Sequence, residues 1–421
     1  MTLTVWGQET TPQLRETLSR LDRQFEAAYR TSGRGVTVHR IAVPFDRLAG
    51  ELADPPGGRV PDIVEVNQGY RGMGALVAAH RLRPLTKYAA AYGWTASIPA
   101  GLRAQNSVTD DGLGFGHGSL YGVSQNGDAV GLYYNKAKLA ALHLSPASTW
   151  AQFEAQLPLI ARAGAVPIDF GNRDGYPALY VYGVLQAELA GRDATRNLLF
   201  GARDAAGGQT APPRWDTPAN LEAAQALRSW ERAGYLSPGS NGLTYEAAVN
   251  EFARGSGVYL ITGTWESSRL SAAMGDNVGF MLPPPAAKGA PVVAPGRQGL
   301  AWTITSTSRN PDVAAAYLDF ITGTTAVPGS PSAVDLMTKA GLLPVAGSGR
   351  KTARGRLISS VAQSWVRVKK ADGIVPFVDF STPTSYQPLS GGLREVIAGR
   401  ATPAQFIARV QRDYTSFGAG G

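Results

Sequence analysis

The residues able to make or break bonds are few and scattered along the chain. Four histidines, His39, His80, His117 and His143, stand alone, with no HExxH pair to hold a zinc ion. There is no cysteine, which removes a thiolate nucleophile, a disulfide framework and any thiolate metal site. The phosphate-cradling GxxxxGK[ST] and the nucleophile elbow GxSxG are missing, and the glycines of 112–118 do not keep the GxGxxG spacing. Carboxylates remain. Two of them converging across a glycosidic bond, about 5–9.5 Å apart, would make a hydrolase. Asp128, Glu266 and Asp379 are candidates, and because such groups need only meet in space, spacing along the chain leaves that chemistry open.

The elements that must position these residues are readable from periodicity. Leu3–Trp6 is a strand. Residues 12–29 form a helix whose apolar stripe is Leu14, Leu18, Leu21, Phe25 and Tyr29. A strand at Val36–His39, a helix over 45–52 and a strand over 62–66 follow. Strands alternating with helices predict a mixed, mostly parallel sheet covered on both faces. In such sheets ligands bind beyond the carboxyl ends of strands. Those ends are Trp6-Gly7-Gln8-Glu9 and Asn67-Gln68-Gly69-Tyr70.

Farther along, Ser124-Gln125-Asn126-Gly127-Asp128 separates two apolar runs, Leu120–Val123 and Gly131–Tyr134. Two readings stand: a link between lobes, or a hairpin closed by a type I′ turn at Asn126-Gly127. Helices are expected over 148–163, over 217–234 and over 244–254. The second of these has Thr217 as N-cap, Pro218 in its first turn and Gly234 at its end. Strands are expected over 257–261, 278–282 and 300–305. Asn310-Pro311 opens a helix to Phe320, 323–333 is a loop, and the C-terminal third is helical, its last helix starting at Thr402-Pro403.

The chain has 421 residues, 44% hydrophobic and 17% charged, which calls for two packed lobes rather than one core. The net charge of +8 is spread mostly as scattered arginines, and no basic run exceeds two residues, as in Lys369-Lys370, so there is no phosphate-binding stripe and no nucleic-acid partner is expected. No apolar run is long enough to span a bilayer. The absence of cysteine favours an oxidising compartment. Met1 stands directly before the first strand with no charged or apolar leader, which fits either a cytosolic chain or one from which an export signal has been removed.

Five segments, in this order, carry a family resemblance. They are Pro61-Asp62-Ile63-Val64; Leu120-Tyr121-Gly122-Val123 with Gly131-Leu132-Tyr133-Tyr134-Asn135-Lys136 and Ser148-Thr149-Trp150; Glu251-Phe252-Ala253-Arg254-Gly255 with Gly263-Thr264-Trp265; Val278-Gly279 with Leu282-Pro283 and Ala314–Leu318; and Gly399–Gln405. Together the chain resembles the maltodextrin-type, oligosaccharide-binding proteins of bacterial ABC sugar importers. It departs from them at Ser124, where relatives carry proline, and at Val66-Asn67-Gln68, where an aromatic residue is common.

The resemblance implies a two-lobed periplasmic-binding-protein-like (type II) α/β fold that closes on its ligand. The lobes would be 1–124 with 277–322, and 125–276 with 323–421, with crossings near 124–128, 274–279 and 321–330. It implies a di- or oligosaccharide ligand, the permease subunits of an importer as partners, a monomer, no cofactor, no metal and no catalysis. The place implied is extracytoplasmic, as a cell-surface lipoprotein whose signal peptide and lipidated cysteine are absent from this chain. A sugar needs aromatic plates for its C–H faces and amides, carboxylates or guanidinium groups for its hydroxyl rim. Trp265 matches the family's stacking tryptophan. Gln8, Glu9 and Trp6, Asn67 and Gln68, Asn126 and Asp128, Tyr176, Arg297 and Gln298, and Asp379 with Tyr386 complete the expected ligand-binding set. A carbohydrate-active enzyme, or a binder of a non-sugar solute, are the alternatives.

Overall fold

The computed structural model describes residues 1–8, 12–31, 33, 35–53, 55, 58, 60–201, 214–323, 329–346 and 355–418. The chain forms two compact units, Met1–Gly127 with Gln298–Arg354, and Asp128–Arg297 with Gly355–Gly421. The first opens with β1 (Thr2–Gly7), β2 (Thr37–Ala42), β3 (Ile63–Val66) and the short pair β4 (Ser107–Val108) and β5 (Ser119–Leu120). Strand β6 (Asn126–Asn135) starts in the first unit and ends in the second. The second unit then holds β7 (Val166–Asp169), β8 (Gly257–Gly263), β9 (Val278–Met281) and most of β10 (Ala294–Gln298). The chain returns to the first unit for β11 (Ala301–Ile304) and β12 (Leu343–Pro344), and β13 (Ile374–Val375) lies in the second.

In the first unit β1 runs parallel to β2 and β3, while β11 lies antiparallel on β3, giving the order β11-β3-β1-β2. The expected stripe of the helix Pro12–Thr31 buries Leu18, Leu21 and Phe25. Phe25 meets Tyr317 edge-on, with ring centroids 5.0 Å apart, and Phe320 at 5.6 Å, both from the helix Pro311–Thr322. The same layer buries a charge pair. Arg40 donates twice to Asp22 at 2.8 Å and once to the Tyr317 hydroxyl, and its guanidinium lies 5.5 Å from the centre of the Trp302 ring. Gly7 makes room for that ring, since a Cβ there would come within 2.5 Å of it.

The second unit is built on β13-β10-β6-β8-β7, with β9 also on β6. Strand β8 is buried along its whole length, parallel to β7 and antiparallel to β6. Its Tyr259 meets Phe153 edge to face at 5.1 Å, and Phe153 meets Trp230 in the same way at 6.0 Å. Helix Tyr176–Ala190 crosses this core and is buried on nearly every side from Pro177 to Ala187. It therefore has no amphipathic stripe, which is why periodicity does not reveal it.

Several expectations need correction. Asn126-Gly127 is not a hairpin turn but the start of a continuous ten-residue strand. Residues 277–297 pack with the second unit rather than with 1–124, because β9 hydrogen-bonds along Leu132–Asn135. Residues 329–346 pack with the first unit, because β12 pairs with Asn126-Gly127. The later crossings thus fall at 297/298 and 354/355 rather than near 274–279 and 321–330. Arg297 and Gln298 end β10 just before β11, and Tyr386 opens the helix Tyr386–Ile397.

Candidate functional site

The second unit gathers aromatic rings at the carboxyl end of β8. Trp265 stands in the turn Thr264–Glu266 that follows this strand, and its indole folds back over Gly263, where a Cβ would lie 2.0 Å from the ring. Only glycine allows that fold. The indole N–H donates to the Tyr245 hydroxyl at 2.7 Å; that hydroxyl donates to Glu266 Oε1 at 2.6 Å and lies 2.9 Å from Thr262 Oγ1. Glu266 is also paired with Arg269 at 3.4 Å. Trp265 is half-buried with a locked orientation, so its ring is held rather than free to collapse.

Further rings adjoin. Tyr180 lies 5.3 Å from Trp265, 5.7 Å from Tyr176 and 5.5 Å from Phe377, and Tyr176 lies 5.5 Å from Tyr245. Tyr176 and Tyr180 are one helical turn apart, which puts both on one face. Burial, then the nearby Asp174 and other charges, pushes the Tyr176 phenol up to about 12. Burial likewise raises the Tyr180 and Tyr245 hydroxyls, so all three are neutral donors at ordinary pH.

Three charged groups complete the set. Arg297 lies 3.8 Å from Asp128 and sits over the Phe377 ring at 5.9 Å. Burial pushes the Asp128 carboxyl above its ordinary value, against the pull of the Arg297 guanidinium and the Thr264 hydroxyl. Burial raises Asp379 in the same way, opposed by its own backbone N–H and by Arg297. One guanidinium thus serves two desolvated carboxylates beside a wall of rings, an arrangement that offers donors and acceptors to a polyhydroxyl rim.

The structure therefore places Trp265, Tyr176, Asp128, Arg297, Asp379 and Tyr386 in one unit, with Tyr386 packed on its core and close enough to bear on the Tyr176 phenol. Sequence reasoning missed Tyr180, Tyr245 and Phe377. A helix over 176–190 would have exposed the Tyr176/Tyr180 pair. The remaining expected residues, Glu9 apart, lie in the first unit. Gln8, Asn67 and Asn126 are partly exposed there. Trp6 is buried in the sheet. Gln68 is buried and donates to the Gly299 carbonyl at 2.7 Å, and fully buried Gln298 donates to the Leu102 carbonyl at 2.6 Å. Glu9 lies outside the described residues. Among the described residues, no group of three or more His, Asp or Glu could hold a metal ion.

Solved structures share this fold over nearly the whole chain. A chitin oligosaccharide binding protein is 20% identical, with coverage of 100% of this chain and 99% of its own and a TM-score of 0.74. The cyclic alpha-maltosyl-1,6-maltose binding protein from Arthrobacter globiformis is 17% identical, with full coverage of both chains and a TM-score of 0.74. SBP RafE in complex with raffinose is 18% identical, with 99% coverage of each chain and a TM-score of 0.67. The fold is the two-lobed type II arrangement of solute-binding proteins. A search of curated proteins found no match. The model of the bacterial extracellular solute-binding protein family matches residues 34–328, so the chain belongs to that family.

Proposed function

We propose that the protein captures a di- or oligosaccharide outside the cell and hands it unchanged to the permease of an ABC importer. One observation carries the reading: a half-buried Trp265, fixed by Tyr245 and Gly263 and flanked by Tyr180, beside the Asp128–Arg297–Asp379 charge cluster. Trp265, Tyr176 and Tyr386 would stack on pyranose faces, and Asp128, Arg297 and Asp379 would bond the hydroxyl rim. Glu266 is committed to Tyr245 and Arg269, which fits a support for the tryptophan better than a catalytic acid. Three solved proteins of this fold, a chitin oligosaccharide binding protein, SBP RafE in complex with raffinose and a cyclic alpha-maltosyl-1,6-maltose binding protein, support a saccharide.

Among the described residues no helix is long and apolar enough to cross a membrane. A lipid anchor at the cell surface is our reading of how the protein is kept beside its permease. Mass spectrometry of the protein extracted from membranes with detergent would show the added acyl mass, and an unmodified mass would refute it. For the ligand, a thermal-shift screen over oligosaccharides should find one that stabilises the chain by about 2.7 kcal/mol at a hundred times its Kd. Product analysis of the same mixtures should show intact sugar. A panel without any stabilising saccharide, or one hydrolysed by the protein, would overturn the proposal.

A further inference from the structure

The first unit contains a cavity of about 170 Å³, lined by Tyr92, Trp94, Ser124, Asp319, Thr322 and Gly323 among others. One water needs only about 10–15 Å³ of such space, so the cavity admits a small organic molecule. Three features of its wall have the same sign. Asp319 is half-buried, and its hydrogen bond among the described residues comes from the Trp94 indole N–H at 2.8 Å. Burial raises its carboxyl, only the Trp94 bond opposes this, and no described cation bears on it. Thr322 and Gly323, at the carboxyl end of the helix Pro311–Thr322, also line the cavity; the Ile321 carbonyl of that end accepts from Gln125 at 2.9 Å, and the helix end carries partial negative charge. Tyr92 and Trp94 stack at 5.6 Å with their planes 21° apart, and Tyr92 remains 38% exposed. The faces this stacked pair leaves uncovered are electron-rich, a third feature that favours positive charge.

We propose that this cavity is a second binding site, for a small organic ammonium ion, formed wholly within the first unit and separate from the ring cluster around Trp265. A carboxylate with no cation among the described residues, a helix carboxyl end and two aromatic rings favour a soft, weakly hydrated cation over a neutral sugar or an anion. The proposal does not depend on the saccharide reading.

Calorimetry on the full chain at pH 8 tests it, with choline chloride as probe, its neutral isostere 3,3-dimethylbutan-1-ol as the uncharged control, and sodium chloride to match ionic strength. Saturable choline binding, at least tenfold tighter than that of the isostere, is the expected result. Asp319→Asn keeps an acceptor for the Trp94 N–H and so keeps the fold, yet it should weaken choline at least tenfold. Trp265→Ala should leave choline affinity within twofold. Choline and its isostere binding alike, no saturable choline binding, or undiminished binding in Asp319→Asn would overturn the proposal. So would loss of choline binding in Trp265→Ala, which would move the site to the other unit.

Discussion

Asp22 in the first unit and the aspartates of the second unit's core are buried in opposite ways. In the first, Asp22 is matched by a guanidinium: Arg40 reaches it with two bonds of 2.8 Å, and the side chains are only 10% and 7% exposed. In the second, Asp128, Asp169 and Asp379 are desolvated more than they are paired, and burial raises all three. A buried, underpaired carboxylate costs stability, and proteins keep such groups where they are used or where backbone donors hold them. On the proposed function, the contrast makes the Asp22–Arg40 pair framework and the Asp128–Asp379 region part of recognition.

The largest effect should come from breaking the first unit's pair. Asp22→Ala strands Arg40 in the core and should cost about 3–5 kcal/mol, read in urea unfolding. Replacing both partners, Asp22→Leu with Arg40→Met, should recover most of that loss, because the expense lies in the unpaired charge. A double variant no more stable than Asp22→Ala would mean that the ion pair does more than neutralise its own burial.

Next is the pH response of the second unit. Asp169 accepts from the Gly257 N–H at 2.6 Å and from Ser237 at 3.4 Å, yet burial still pushes its carboxyl up to about 6. Its folded value lies above its unfolded one, so the protonated form favours the fold. The associated stability is present below about pH 4 and is lost as pH rises through about 6, on the order of 3 kcal/mol. Asp169→Asn should flatten the unfolding free energy across this window. A wild-type profile that rises steadily from pH 4 to 6 in this unit's transition would contradict the assignment.

Trp265→Ala ranks third. It removes the ring that Tyr245 and Gly263 hold in place and should cost at least about 2 kcal/mol of saccharide affinity, with little change in unfolding midpoint. Calorimetry with the best ligand from the screen reads it. Unchanged affinity would end the view that the second unit holds the recognition surface.

Local signals made much of this legible in the sequence. The helix Pro218–Arg232 follows its Thr217 cap, which accepts from the Asn220 N–H at 3.3 Å, and the first-turn proline. The stripe of the helix Pro12–Thr31 and the continuous apolar run of β8 were equally plain. What escaped depends on partners distant in sequence. Asn126-Gly127 has turn chemistry, but pairing with Leu343-Pro344 holds it extended. Strand β10, Ala-Pro-Gly-Arg-Gln, has poor strand propensity and exists because β6 and β13 flank it. In the site, Trp265 and Arg297 were recognisable, whereas Tyr180 was hidden in a helix without a polar face.

Gln68 is where the contrast between the units is finest. As a strand-end amide it fits hydroxyl recognition, but it is buried, and its Nε2 donates to the Gly299 carbonyl at 2.7 Å and more weakly to that of Gln298 at 3.3 Å. Its Oε1 has no protein partner among the described residues, so the amide is half satisfied. If the sheet end around Gln68 is framework, Gln68→Met should cost only about 1 kcal/mol of stability, since the lost bonds are offset by removing the unsatisfied oxygen. Saccharide affinity should then change less than threefold. A tenfold loss of affinity at unchanged stability would instead make that oxygen a ligand acceptor, and would spread recognition over both units.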